Sequence, residues 1–121
     1  VCIPAEGREM GTASGGEGVV AHGKRSPAGP PGSQQGLNDY TGWFADDPGM
    51  AGDYFGYDGP CPPWNDELVH HYHFRAHALD IPTLDLSGRF RMADVRDAMR
   101  THLLAEAVLT GTYTLSAALR R

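Results

Sequence analysis

Hydrophobic and polar residues alternate most clearly between Leu68 and Leu79. A period of two is typical of a β-strand whose two faces meet different surroundings. The more apolar face consists of Leu68, His70, Tyr72, Phe74, Ala76 and Ala78, and the opposite face of Val69, His71, His73, Arg75 and His77. We therefore predict a strand over residues 68–79 that holds His70 and Tyr72 side by side.

The apolar spacing after residue 90 changes to that of a helix. Apolar residues recur every three or four positions with Asp and Arg between them, which predicts one amphipathic helix over about residues 92–104. The residues that form this stripe are Met92, Val95, Met99, His102 and Leu103. Threonine, valine and tyrosine then predict a final strand over about residues 105–115.

The first 67 residues lack such periodicity. Residues 1–4 have the apolar character of a strand end, which indicates that the sequence begins inside a longer domain. Residues 5–35 are rich in Gly, Ser and Pro, and they predict a long flexible loop because they bury too little surface to offset their ordering entropy. Residues 36–67 hold seven of the eleven aromatic residues, which predicts an ordered irregular loop around a core or a pocket.

Length and charge limit the classes of function. A chain of 121 residues has room for one domain, and its sixteen glycines and nine prolines favour a turn-rich, mainly β architecture. A net charge of −5 argues against a nucleic-acid partner. The absence of a long apolar run or a signal peptide predicts a soluble, cytoplasmic protein. Cys2 and Cys61 have no zinc spacing, and we expect two free, partly buried thiols.

A proline-rich turn precedes the first strand. Pro60, Pro62 and Pro63 restrict the backbone after Gly59. On the residues alone, this segment is either a stiff turn leading into a strand or a rigid wall beside His70 and Tyr72. An imidazole and a phenol at such a wall would offer two directional hydrogen-bond donors to a small anion. The alternative is a histidine and a tyrosine that are satisfied inside a core.

The pattern Gly59-Pro60-x-Pro62-Pro63, followed by His70-x-Tyr72-x-Phe74 and Ala78-Leu79, resembles the second signature block of the phosphatidylethanolamine-binding protein family. The strand motif of that family is usually His-Arg-Tyr. The His-His-Tyr form at residues 70–72, together with residues 36–40 and 56–57, is similar to the bacterial Raf-kinase-inhibitor-like (YbhB/YbcL-type) branch. The resemblance extends over about residues 36–115.

This resemblance implies a mainly β fold with a large central β-sheet, a C-terminal amphipathic helix followed by a final strand, and long irregular loops. It implies a binding protein and not an enzyme, without cofactor or metal, that takes phosphate or a phosphorylated head group and regulates a protein kinase or protease. The ligand-binding residues implied by the motif are His70, Tyr72, Gly59, Pro60 and Pro62. His71 stands where the family more often has Arg, and it receives no ligand role.

The first signature block of the family, an Asp-Pro-Asp-type turn followed by a His-Trp pair, is absent from the sequence. This absence implies that residues 1–121 are the C-terminal part of a single domain whose remaining strands and pocket residues lie upstream. The sheet surface left exposed would favour a homodimer.

Two other functions stay open. His71, His73 and His77 share one strand face, as in a metal-binding β enzyme, although Arg75 between them would repel a cation. A pure protein-interaction module is the second alternative, and its contact surface would be the aromatic loop over residues 40–64.

Overall fold

The computed structural model describes residues 21–25, 29–62 and 65–120. Within them lie helix α1 (Tyr40–Trp43), strand β1 (His70–Leu79), helix α2 (Met92–Met99), strand β2 (Leu103–Tyr113) and a 3₁₀ turn (Ala117–Leu119). The mainly β class is confirmed, because helices are few and the longest elements are two antiparallel strands. The chain divides into two compact units, Val1–Gly59 with Ile81–His102 and Pro60–Asp80 with Leu103–Arg121.

The second unit is built on the pairing of β1 with β2. The register runs from His70 opposite Tyr113 to Leu79 opposite Leu103, with an irregularity between Ala78 and Leu79. Opposed residues of an antiparallel pair lie on the same face of the sheet. One face therefore carries the more apolar positions of both strands together with His70 and Tyr72, and the other carries His71, His73 and His77 with the two threonines of β2.

The first unit has its core around Tyr54, whose side chain is fully buried. Its hydroxyl donates to the Met50 carbonyl oxygen at 2.5 Å, and its backbone N–H donates to the Thr41 hydroxyl at 3.0 Å. The rings of Tyr40 and Phe44 lie against it, with centroid distances of 6.2 and 5.5 Å. In its described part, the aromatic segment is therefore an ordered loop, as predicted, and it also contains the short helix α1.

The predicted helix after residue 91 exists but ends earlier than expected. The Asp94 carboxylate accepts the Arg91 backbone N–H at 2.7 Å, and this contact caps the N-terminus of α2. The helix ends at Met99, and the His102 N–H donates to the Met99 carbonyl oxygen in the turn that follows. Strand β2 begins at Leu103. The prediction of a helix to residue 104 was wrong, because Leu103 is the first residue of β2 and pairs with Leu79 of β1.

The remaining structural expectations concern the N-terminal residues, the two cysteines and membrane-spanning helices. The predicted strand end over residues 1–4, Cys2 and most of the predicted flexible loop over residues 5–35 lie outside the described residues. Cys61 is free and exposed, so the expectation of a partly buried thiol was wrong there. Within the described ranges, no helix is both long and apolar enough to cross a membrane.

Candidate functional site

His70 and Tyr72 lie on the same face of β1, as the alternating pattern predicted. We call this surface the His70 face; it consists of His70, Tyr72 and Phe74 with their cross-strand partners Tyr113, Gly111 and Leu109. Gly111 lies directly opposite Tyr72, and a β-carbon there would meet no atom within 4 Å. The face therefore has an open notch beside the phenol ring.

Asp66 contacts His70 through a turn that the sequence pattern did not reveal. The Asp66 Oδ1 atom accepts the Leu68 backbone N–H at 2.8 Å, which fixes the carboxylate at the entry to β1. Its Oδ2 atom lies 2.5 Å from Nε2 of His70. Hydrogen bonding from His70 and then from the Leu68 N–H holds the pKa of the Asp66 carboxyl below its usual value.

The carboxylate of Asp66 determines which nitrogen of His70 carries a hydrogen. An ionised carboxylate can only accept, so Nε2 of His70 must donate to it. Among the described residues, neither Nδ1 of His70 nor the Tyr72 hydroxyl has a hydrogen-bond partner. The His70 side chain is 33% exposed, and Tyr72 is half-buried. Two polar groups on one face are thus accessible to a ligand.

The proline-rich turn begins at Gly59, whose φ of 83° lies in the left-handed region that favours glycine. Gly59 is the last residue of one stretch of the first unit, whereas Pro60 and Pro62 belong to the second unit with His70 and Tyr72. Pro62 is buried and Pro60 is exposed. His70 and Tyr72 are therefore the two predicted site residues that a shared strand face brings together.

A buried ion pair in the first unit was also missed by the sequence pattern. Lys24 is only 4% exposed, and its ammonium group contacts the Asp58 carboxylate and donates to the Tyr57 carbonyl oxygen at 3.1 Å. The amide of Asn38 donates to the other Asp58 oxygen at 2.5 Å and to the Gly56 carbonyl oxygen at 2.8 Å. The pair holds the backbone of residues 56–58 immediately before Gly59.

An aromatic groove lies on the same unit. Its volume is about 190 Å³, and Tyr40, Trp43 and Tyr57 contribute its rings. Trp43 is 77% exposed, and its ring stacks on Tyr40 with a centroid distance of 5.8 Å. The predicted aromatic contact loop therefore presents an accessible indole.

The opposite strand face carries the residues of the metal alternative. The Nε2 atom of His77 lies 2.7 Å from a Glu106 carboxylate oxygen, and the other oxygen of Glu106 accepts from Arg75 at 2.9 Å. The Nδ1 atom of His73 lies 2.8 Å from the Thr110 hydroxyl. In the part of the chain that the structure describes, no group of three or more His, Cys, Asp or Glu side chains could hold a metal ion.

Comparison with known proteins shows which family the sequence resembles. Residues 3–114 match the sequence model described as phosphatidylethanolamine-binding protein. A UPF0098 protein of Methanothermobacter thermautotrophicus is 44% identical over 84 residues, which cover 69% of this chain and 45% of that protein. A UPF0098 protein of Chlamydia trachomatis is 41% identical over 58 residues, covering 48% of this chain and 36% of the relative.

The relatives come from archaea and bacteria, and a UPF0098 protein of Pyrococcus horikoshii is 43% identical over 58 residues, 28% of its length. The chain thus spans less than half the length of the curated relatives it matches. The family match covers most of the chain, including both strands and α2. The chain belongs to the phosphatidylethanolamine-binding protein family.

Proposed function

We propose that the chain contributes to a protein that binds a small anion, phosphate or a phosphorylated head group, on the His70 face, and that it binds this anion without turnover. The observation that carries the proposal is the pair of adjacent, accessible polar groups, Nδ1 of His70 and the Tyr72 hydroxyl. The space opposite Tyr72 at Gly111 leaves room for a ligand beside them. Membership of the family supports a ligand-binding or regulatory role.

NMR titration of the full-length protein, which contains this chain, with inorganic phosphate tests this proposal. We expect phosphate to shift the signals of His70 and Tyr72. We expect His70→Ala to weaken binding by about tenfold to a hundredfold, because a hydrogen bond to a charged group contributes roughly 1.5–3 kcal/mol. His71→Ala is the matched control, since His71 lies on the opposite face of the same strand. Equal affinity of the His70→Ala variant and the unmodified chain would remove the pocket assignment.

A second candidate is a protein contact through the aromatic loop, which would serve the predicted regulation of a kinase or protease. It is favoured by the exposed indole of Trp43 beside the groove. Exposed aromatic anchors contribute strongly to protein interfaces. If Trp43→Ala abolishes binding of a kinase or protease partner and His70→Ala does not, the loop is the interface. The reverse result would assign the partner contact to the His70 face.

A further inference from the structure

Among the described residues, Asp66 is the carboxylate that contacts His70, and it does so from the segment before β1. The carboxylate is held twice, by the Leu68 N–H on one oxygen and by the imidazole on the other. Since the carboxylate only accepts, the neutral imidazole has its hydrogen on Nε2 and a lone pair on Nδ1. The ring atom left for a ligand is therefore an acceptor when His70 is neutral.

An anion cannot bind well to that lone pair. It needs a hydrogen on Nδ1, which is present when the imidazole takes up a proton and becomes a cation with two N–H donors. The Asp66 carboxylate remains the acceptor for the Nε2 hydrogen in this state, so that Nδ1–H is the donor left for the anion. Binding of a fully ionised anion and protonation of the ring consequently favour each other.

The rest of the His70 face adds few competing charges. Between residues 70 and 78 and their β2 partners, the ionisable side chains on this face are His70 and the phenols Tyr72 and Tyr113. Arg120 lies beyond the end of β2, where its Nε donates to the Thr114 carbonyl oxygen at 3.4 Å. In this described region, the carboxylate facing His70 is that of Asp66.

We propose that Asp66 is a positioning residue which holds His70 by Nε2, so that the site binds its anion together with one proton at Nδ1. The inference rests on the proposed anion site. Such a site distinguishes anions that carry a hydrogen from anions that do not. An anion that retains an O–H group, such as hydrogen phosphate, can donate that hydrogen to Nδ1 of neutral His70. Sulfate has no such hydrogen, so it binds when His70 has taken up a proton from solvent.

Sulfate and phosphate affinities of the unmodified chain, measured by calorimetry across about pH 5 to 8, test the coupling because imidazoles titrate there. Sulfate keeps its charge over this range. We expect its affinity to fall as the pH rises, by up to about tenfold per pH unit, the slope for one coupled proton. Phosphate should lose less affinity and bind more tightly than sulfate at the upper end. A flat sulfate profile would overturn the inference and leave the anion site standing.

Asp66→Ala separates positioning from general electrostatics. Removing a negative charge by itself would tighten anion binding. A shallower sulfate profile is the additional effect we expect of Asp66→Ala, because the neutral ring without its partner can place its hydrogen on Nδ1 and still donate to the anion. Glu67→Ala is the matched control, since it removes the same charge one residue along from an exposed side chain. Equal profiles for Asp66→Ala and Glu67→Ala would contradict the assignment.

The tautomer of His70 can also be measured directly, without any variant, from the signals of its ring nitrogens. In ¹⁵N spectra of the unmodified chain above the imidazole titration, we expect a protonated Nε2 and an unprotonated Nδ1. The opposite tautomer would overturn the inference even if sulfate and phosphate bind. Failure of both anions to bind at any pH would overturn the proposed anion site and this inference with it.

Discussion

Lys24 and Asp58 form an ion pair whose side chains are only 4% and 3% exposed. Two charges removed from water are tolerated because each has further hydrogen bonds, from Lys24 to the Tyr57 carbonyl and from Asn38 to Asp58. The contact joins a residue near the start of the described chain to the segment before Gly59. At the scale of single residues, this pair links two distant segments of the first unit in a buried contact.

We expect Lys24→Met to lower the free energy of unfolding by about 3–5 kcal/mol, because it leaves the Asp58 carboxylate buried without its cation. Adding Asp58→Asn should recover much of that loss, since an amide in this place carries no charge. Urea denaturation of both variants measures the difference.

Arg100→Met provides the control for that measurement. It breaks an exposed contact between Arg100 and Asp97 and should change stability by less than about 0.5 kcal/mol. If the double variant were as unstable as Lys24→Met alone, the buried charge would not be the cause of the loss.

Asp66 shows why such contacts are hard to predict from sequence. Residues four apart in an extended strand are about 13 Å from each other, so nothing in the spacing of Asp66 and His70 suggests contact. The carboxylate reaches the ring because it accepts the Leu68 N–H in a turn before β1. Asp residues favour such turns, and this was the available local signal. The roles of His70 and Tyr72 came from the motif instead.

At the scale of elements, the alternation of side chains predicted β1 almost to its ends and placed His70 and Tyr72 correctly on one face. The period was reliable because each strand face is defined by every second residue. The boundary between α2 and β2 was predicted less well. The apolar residue Leu103 suits either element, and its pairing with Leu79 of β1 decides in favour of the strand.

Gly111 offers a test at this scale. Gly111→Val should raise strand stability by up to about 1 kcal/mol, because valine has a higher β propensity and a β-carbon there meets no atom within 4 Å. It should also weaken phosphate binding, since the added side chain fills the notch beside Tyr72. Thermal denaturation and NMR titration measure the two effects.

Ala107→Val is the matched control for Gly111→Val. It adds bulk on the same face, opposite Ala76 and two residues along β2 from Leu109. Phosphate affinity should stay as in the unmodified chain. A similar loss of affinity in both variants would mean that added bulk acts through the strand and not through the notch.

At the scale of the whole molecule, the chain corresponds to less than half of its curated relatives. Large apolar side chains are exposed on the strands, including Phe74 and Leu109, which is 71% exposed. A two-stranded ribbon with so much apolar surface in water has little independent stability. Association of chains, as in the predicted homodimer, would lower that exposure.

Leu109→Thr tests how exposed this face is in solution. Threonine keeps β propensity, and substitution of an exposed side chain should change the free energy of unfolding by less than about 0.5 kcal/mol. Sedimentation velocity should show less self-association if chains meet through this face. A loss of about 2 kcal/mol or more would show that Leu109 is covered in the folded state, against the exposure seen here.

The sequence alone determined the family, the mainly β class, the main strand and the shared face of His70 and Tyr72. These features depend on motifs and on local periodicity, which are properties of neighbouring residues. Only the tertiary structure decided that Asp66 holds His70, that Lys24 is buried against Asp58, and that Gly111 leaves space opposite Tyr72. Each of these depends on how turns and strand pairing bring together groups whose spacing along the chain carries no signal of contact.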